Sequence, residues 1–217
     1  EAKRAKKTIL KSKWVLTRKA DGTAKARTVC GGYAHFPEGS TYAPVARLVT
    51  LRFLLLLALC LGLLVGQLDI SQAFLQAPLK EEVYVHLPRG YEREGYCWKL
   101  HKALYGLKNA PLAWFRTFAD WATEQAGWTR CKLDPCLFFI ELKLGIAFVL
   151  VYVDDILIFG SLLVIRHVKA KILERFKSKD MGMLRKYLGA LYQYSLKERR
   201  CVVDQSQYIE EILERFN

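Results

Sequence analysis

Two carboxylates stand side by side inside an apolar run. The segment Ile146 to Phe159 (IAFVLVYVDDILIF) carries Asp154 and Asp155 and no lysine or arginine. An ionised carboxylate among apolar side chains is costly unless a cation holds it. Divalent metal ions would meet that need and bring chemistry with them. A third acid, Asp69, sits far upstream near the end of another apolar stretch, Gly66 to Ile70 (GQLDI). Phosphoryl transfer asks little covalent chemistry of a protein. It asks for metals that neutralise charge and hold the attacking and leaving oxygens in line. Two Mg²⁺ ions about 4 Å apart, held by carboxylates and substrate phosphates, do this. No competing thiolate or imidazole cluster appears: the six cysteines form no C-x-x-C pair, and no histidine lies at zinc-ligand spacing. Each acid also has a plainer reading, Asp69 as a helix cap and the Asp-Asp pair as a hairpin turn. Their combination in a basic chain favours a metal site.

These acids need elements to position them. Neighbours on a straight strand point to opposite faces, so Asp154 and Asp155 share a site only if the chain turns there. Residues 146–152 and 156–159 read as two strands joined through the acidic pair, and residues 66–70 as a short strand ending at Asp69. Residues 46–62 suit a helix, residues 82–87 an edge strand and residues 98–104 another strand. Pro111 opens and Gly127 closes a predicted helix over 111–126. Val164, Val168, Ile172 and Phe176 repeat every fourth residue and mark a further helix. Strands are predicted at 187–192 and 201–203, then an amphipathic helix over 206–216. Near the start, Trp14 to Thr17 and Lys25 to Val29 flank Asp21-Gly22 and predict a β-hairpin. Residues 1–13 are lysine-rich and read as a disordered basic arm. The order of elements predicts an α+β domain with helices packed on an antiparallel sheet.

Composition narrows the partners. The 217 residues include 34 basic and 21 acidic side chains, a formal charge of +13. That excess favours a polyanion, most simply nucleic acid. Isolated thiols fit a reducing compartment. The leucine-rich run Phe53 to Val65 spans 13 residues, short of the roughly 20 that cross a bilayer. A buried helix leading into a strand is the better reading, and no membrane partner is expected. The chain begins at Glu1 without a secretory signal and is expected to be a segment of something longer.

Ordered blocks from Trp14 to the C-terminus resemble the reverse transcriptase domain of Ty1/copia-type LTR retrotransposons. They are Lys25-Ala-Arg27, Tyr42-Ala-Pro-Val-Ala46, Gln67 to Leu75 (QLDISQAFL), Glu81 to Val85 (EEVYV), Leu104 to Trp114 (LYGLKNAPLAW), Tyr152-Val-Asp-Asp155 and Lys179-Asp-Met-Gly182. The resemblance implies a right-hand polymerase, with an antiparallel palm sheet packed on helices. Fingers are expected over 14–66, including the core helix 46–62. The palm is expected over 67–192 with a fingers insertion at 76–112, and the palm end and start of a thumb over 193–217.

The implied activity is RNA-directed DNA polymerisation, a two-metal nucleotidyl transfer to a primer 3′-hydroxyl. Asp69, Asp154 and Asp155 match the catalytic, metal-binding triad, and the Ile70 backbone lies near metal and nucleotide. Two Mg²⁺ ions are implied, with Mn²⁺ as a substitute. Phe74 matches a steric gate against the 2′-hydroxyl. Lys25 and Arg27 match a hairpin that grips the triphosphate, and Arg27 suits phosphate because its fork is bidentate. Tyr105 and Gly106, with Pro111, match the block that shapes the nucleotide and template pocket. A lysine near Lys177 or Lys179 matches a proton donor to pyrophosphate, and Tyr187-Leu-Gly189 resembles a primer grip.

The implied partners are an RNA or DNA template with its primer, deoxynucleoside triphosphates, and the rest of a Pol polyprotein with its thumb, RNase H and integrase. The implied place is intracellular, a cytoplasmic retrotransposon particle, with the nucleus as a second location. Asn109 and Gly31 depart from the family's glutamine and lysine. The reading from a different class is a degenerate palm that binds nucleic acid without catalysis. An RNA-directed RNA polymerase is a third reading, opposed by Phe74.

Overall fold

The computed structural model describes residues 8–18 and 22–216, and every structural statement below concerns these residues. In chain order the elements are β1 (Ile9–Leu10), β2 (Ser12–Arg18), β3 (Ala24–Cys30), α1 (Leu48–Leu61), β4 (Leu64–Ile70), α2 (Ala73–Gln76), β5 (Pro78–Val85), β6 (Trp98–Lys102) and α3 (Ala110–Asp120). Then follow β7 (Thr129–Arg130), β8 (Leu137–Leu142), β9 (Gly145–Tyr152), β10 (Asp155–Gly160), α4 (Leu162–Arg175), β11 (Ser178–Met183), β12 (Lys186–Tyr187), β13 (Ala190–Ser195), β14 (Arg200–Asp204) and α5 (Ser206–Phe216). The fold is α+β with packed helices and sheets that are antiparallel except where β1 joins β5. No helix is long and apolar enough to cross a membrane.

The chain divides into two compact units. One takes the segment up to Ala43 with Gln72–Phe118; the other takes Pro44–Ser71 with the chain from Ala119 onward. The expected partition differs, because it assigned residues 44–66 to the first region and began the insertion at 76. Helix α1 explains the difference. Its Leu51, Leu54, Leu55 and Ala58 pack with Val65, Leu157 and Phe159 from β4 and β10, so it belongs with that sheet.

The second unit is built on the strand order β11-β4-β10-β9-β8-β7, antiparallel throughout. Strand alternation sends Val65, Leu157 and Phe159 toward α1, and Leu68, Ile156 and Ile158 to the opposite face. Helix α4 packs against β4, β9, β10 and β11, with Val164, Val168 and Ile172 fully buried. Burying each such aliphatic side chain contributes roughly 1.5–3 kcal/mol.

Helix α1 lacks a capping side chain of its own. The buried carboxylate of Asp134 serves instead, accepting from the Arg47 N–H at 3.1 Å and Thr50 Oγ1 at 2.6 Å. A carboxylate at a helix N-terminus also suits the macrodipole. Gly62, at φ 68°, ends the helix in the left-handed conformation that glycine adopts freely. Val49, Phe53 and Leu56 of this helix remain exposed.

Three sequence expectations need correction. The disordered arm over 1–13 fails from residue 9: Ile9–Leu10 pairs in parallel with Tyr84–Val85, and Ser12 begins a hairpin strand. Residues 1–7, and Asp21 of the expected turn, lie outside the described residues. The helix expected over 111–126 runs as α-helix only to Asp120, and Trp121–Gln125 forms a wider π-turn. That turn sets the Trp121 ring at 5.2 Å from Trp128 and 5.1 Å from Phe176. The single strand expected at 187–192 is a hairpin, with Tyr187 opposite Ala190. Its two-residue turn is Leu188-Gly189, both at positive φ, the backbone that tight hairpins require.

In the first unit β2 pairs with β3, and β1, β5 and β6 form a second sheet. The end of β3 is locked onto the segment after β6. Cys30 N–H donates to the Tyr105 carbonyl at 2.9 Å. A Cβ on Gly32 would lie 1.7 Å from the Gly106 oxygen, and one on Gly106 would lie 2.1 Å from the Cys30 oxygen. Only glycine allows backbones this close.

Candidate active site

The three aspartates converge at one end of the six-stranded sheet. Asp69 and Asp155 are register partners on β4 and β10. Such partners have Cβ atoms roughly 4.5–5.5 Å apart on the same face. Asp155 in turn pairs with Tyr152 across a two-residue turn, Val153-Asp154. Ile70 N–H donates to the Asp154 carbonyl at 2.7 Å, so the main chain ties the turn to the end of β4. Asp154 is exposed, and Asp69 and Asp155 are half-buried. Val153 sits at φ 55°, a region that a β-branched residue occupies only under strain. Backbone strain at this turn is the means by which adjacent carboxylates come to one sheet end.

Electrostatics record the convergence. The Asp155 carboxyl is pushed up to about 6, first by burial, then by the Asp154 and Asp69 charges, against a hydrogen bond from Gln67. Like charges directly opposite on a sheet are destabilising. Three acids gathered at one sheet end, with the charges of two raising the third, form a cation-binding pattern. Lys179 on β11 is the partner of Asp69 on its other flank. The Lys177 carbonyl accepts from Ser71 N–H at 2.9 Å.

The donor set fits Mg²⁺. Among the described residues no three His, Cys, Asp or Glu side chains close into a cage that would hold a metal alone. Mg²⁺ is usually held by one or two carboxylates plus substrate phosphates and water, not by an all-protein cage. Asp69, Asp154 and Asp155 are oxygen donors at an open sheet end. Ile70 commits its N–H to Asp154, so its remaining contribution to a cation is the carbonyl oxygen.

The other expected residues belong to the first unit, where several meet. The Arg27 guanidinium lies 5.5 Å from the centre of the Tyr105 ring, and the Phe74 ring lies 5.1 Å from Tyr105 on centroids. Lys25 is two residues before Arg27 on β3, on the same face. Gly106 is the glycine of the close approach to Cys30. Phe74 is thus half-buried in an aromatic pair with a cation above it, rather than inside a core. Asn109 donates from its amide to Glu81, which also contacts His35 Nε2 at 3.1 Å.

Sequence reading missed what four residues do here. Gln67 bonds Asp155 and donates to the Lys186 carbonyl at 3.0 Å. Asp134 caps α1 from far along the chain. Lys169 is a buried lysine on α4. Tyr187, in the segment that resembles a primer grip, is 2% exposed, and its hydroxyl has no hydrogen-bond partner. Burial and then the Asp155 charge push that hydroxyl's pKa far upward. Only Gln67 had a visible signal, its place beside Asp69 in the apolar stretch.

The family model described as reverse transcriptase (RNA-dependent DNA polymerase) matches residues 2–217. A curated tobacco (Nicotiana tabacum) protein, "Retrovirus-related Pol polyprotein from transposon TNT 1-94", is 37% identical over 97% of this chain and 17% of its own length. The yeast (Saccharomyces cerevisiae) "Transposon Ty1-ER2 Gag-Pol polyprotein" is 32% identical over 71% of this chain and 9% of its own. The chain therefore spans under a fifth of these relatives. Among solved structures, a foamy viral protease-reverse transcriptase in complex with double-stranded DNA aligns over 83% of this chain and 29% of its own, at TM-score 0.43 and 15% identity.

Proposed function

Because the chain belongs to the reverse transcriptase (RNA-dependent DNA polymerase) family, as a domain of the Ty1/copia retrotransposon type, we propose that it extends a primer 3′-hydroxyl with deoxynucleoside triphosphates along an RNA or DNA template. The observation that carries this reading is the register pairing of Asp69 with Asp155 beside the turn that holds Asp154. The 3′-oxygen attacks the α-phosphorus, the bond to pyrophosphate breaks, and the hydroxyl proton passes to solvent. Asp69 and Asp154, supported by Asp155 and the Ile70 carbonyl, would hold two Mg²⁺ ions or their Mn²⁺ substitutes, which when bound neutralise phosphate charge and acidify the hydroxyl. Asp155 acts mainly through position, opposite Asp69 across the β4–β10 ladder.

Lys25 and Arg27 bind the triphosphate, and Tyr105 orients Arg27 from below. Phe74 excludes a 2′-hydroxyl by occupying its space. Gly106 leaves room for a base against the backbone. The lysine opposite Asp69, Lys179, protonates the departing pyrophosphate. The remaining partners on this reading are the other parts of a Pol polyprotein (thumb, RNase H, integrase), inside an intracellular retrotransposon particle in the cytoplasm or nucleus.

The test is primer extension on a primed homopolymer RNA template, with and without Mg²⁺, beside a binding assay. Metal-dependent extension that Asp154→Asn abolishes is the expected result. Binding without any extension by the unmodified chain selects the non-catalytic nucleic-acid module instead.

A further inference from the structure

A charged group buried on α4 is committed to holding one strand in place. Lys169, in the middle of α4, has its side chain 7% exposed. Its ammonium donates to Asp180 Oδ1 and, at 2.7 Å, to the Gly182 carbonyl. Asp180 Oδ1 also accepts from Gly182 N–H at 2.7 Å. Lysine, aspartate and backbone thus close a small ring around one turn of chain. Burial alone would raise the Asp180 carboxyl, but the bonds from Lys169 and Gly182 and the lysine charge hold it below its usual range.

The ring sits at a defect in the sheet. The β11–β4 register shifts between Asp180 and Met183, leaving Met181 and Gly182 as an irregular insertion. Such bulges re-aim the side chains beside them. On the near side of the defect the register sets Lys179 opposite Asp69 and Ser178 opposite Ile70. On the far side Leu184 N–H donates to the Val65 carbonyl at 2.9 Å. Beneath the defect, Gly66 has no side chain because Lys169 and Ile165 fill that space: a Cβ there would lie 3.0 Å from Lys169 Cε and 2.6 Å from Ile165 Cγ2. The sequence Lys179-Asp-Met-Gly182 therefore has its second and fourth residues tied to one buried lysine, leaving its first facing the acids.

We infer that Lys169 is a positioning residue: through Asp180 and Gly182 it fixes the bulge of β11, and the bulge fixes Lys179 against Asp69 at the candidate site. Its importance for turnover rests on the polymerase reading; its hold on β11 does not. A lysine kept merely for stability would act on the whole unit, whereas a latch acts on one strand.

The experiment compares the whole chain with Lys169→Met, an apolar side chain of similar length, by amide hydrogen exchange and primer extension. The Leu184 and Ser71 amides, which bond across β4 and β11, are expected to exchange at least about tenfold faster. Val151 N–H, which donates to the Cys136 carbonyl at 2.9 Å across the sheet, keeps its rate. In extension, kcat falls about tenfold while the deoxynucleotide KM stays within about twofold, the signature of a lost transition-state alignment. Asp180→Asn, which keeps an oxygen facing the lysine, is the milder second variant and shows the same pattern at lower amplitude if Lys169→Met fails to fold. Equal acceleration at Leu184 and Val151, or no acceleration at Leu184, overturns the inference. Unchanged kcat in a variant with loosened β11 also overturns it. If the unmodified chain does not extend primers, the polymerase reading fails, and the exchange rates alone decide whether Lys169 holds the strand.

Discussion

Asp155 carries the sharpest conflict at the scale of single residues. It faces Asp69 across two hydrogen-bonded strands, and its carboxyl is raised to about 6. Because an unfolded aspartate ionises near 4, the folded chain holds the extra proton between about pH 4 and 6. The stability linked to that proton is fully present below about pH 4 and is lost as pH rises through about 6. Asp155→Asn is therefore expected to raise the melting temperature at pH 7 by about 2–4 °C, the shift that ~1 kcal/mol produces in a chain of this size. At pH 4 the gain disappears; a thermal melt at the two pH values checks both halves. Mg²⁺ should stabilise the unmodified chain at pH 7 more than at pH 5, because the acids bind metal only when ionised. Phe74→Ala is expected to lower discrimination against ribonucleotides by about tenfold or more, measured as the ratio of kcat/KM values. Unchanged sugar selectivity would leave Phe74 as a partner of Tyr105 and nothing more.

Hairpins and their turns decide how much of the site is legible at the scale of elements. The strands around Asp154 and Asp155 were readable because apolar runs flank a polar pair, and Asp69 because it ends such a run. The turn's strain was not readable: Val153 has the sequence character of a strand residue yet adopts φ 55°. The same blindness hid the Leu188-Gly189 turn within a run that reads as one strand. Leucine at φ 49° suits that turn poorly. Leu188→Asn would create the favoured Asn-Gly pair and is expected to add roughly 0.5–1 kcal/mol, seen as a higher denaturant midpoint with an unchanged slope. Asp134, Lys169 and the burial of Tyr187 stayed hidden for another reason. Asp134 takes its role from Arg47 and Thr50, far away in sequence, while Lys169 and Tyr187 are set apart by burial, and a lone acid, lysine or tyrosine carries no mark of either. Helix α1 was found, but its allegiance was not, since a helix whose polar side chains are confined to Thr50 and Arg52 near its start declares no preferred face.

Charge dominates at the scale of the whole molecule. A formal charge of +13 predicts sequence-independent binding to nucleic acid that weakens steeply with salt. With six or more phosphate contacts, affinity for a primed template should fall on the order of 10³-fold or more between 50 and 200 mM salt. A titration by fluorescence anisotropy gives the slope directly, and a flat response would argue against a backbone-tracking surface. This expectation rests on composition alone. The division into two units was less visible, because its boundaries fall where contacts change and not where glycine or proline accumulates.

The single bond from Ile70 N–H to the Asp154 carbonyl has an evolutionary corollary. It is written in the main chain, so almost any residue at either position preserves it, and the spacing of the acids is buffered against mutation elsewhere in the sheet. Random substitution elsewhere in the sheet would then erode packing well before it moved these three acids apart.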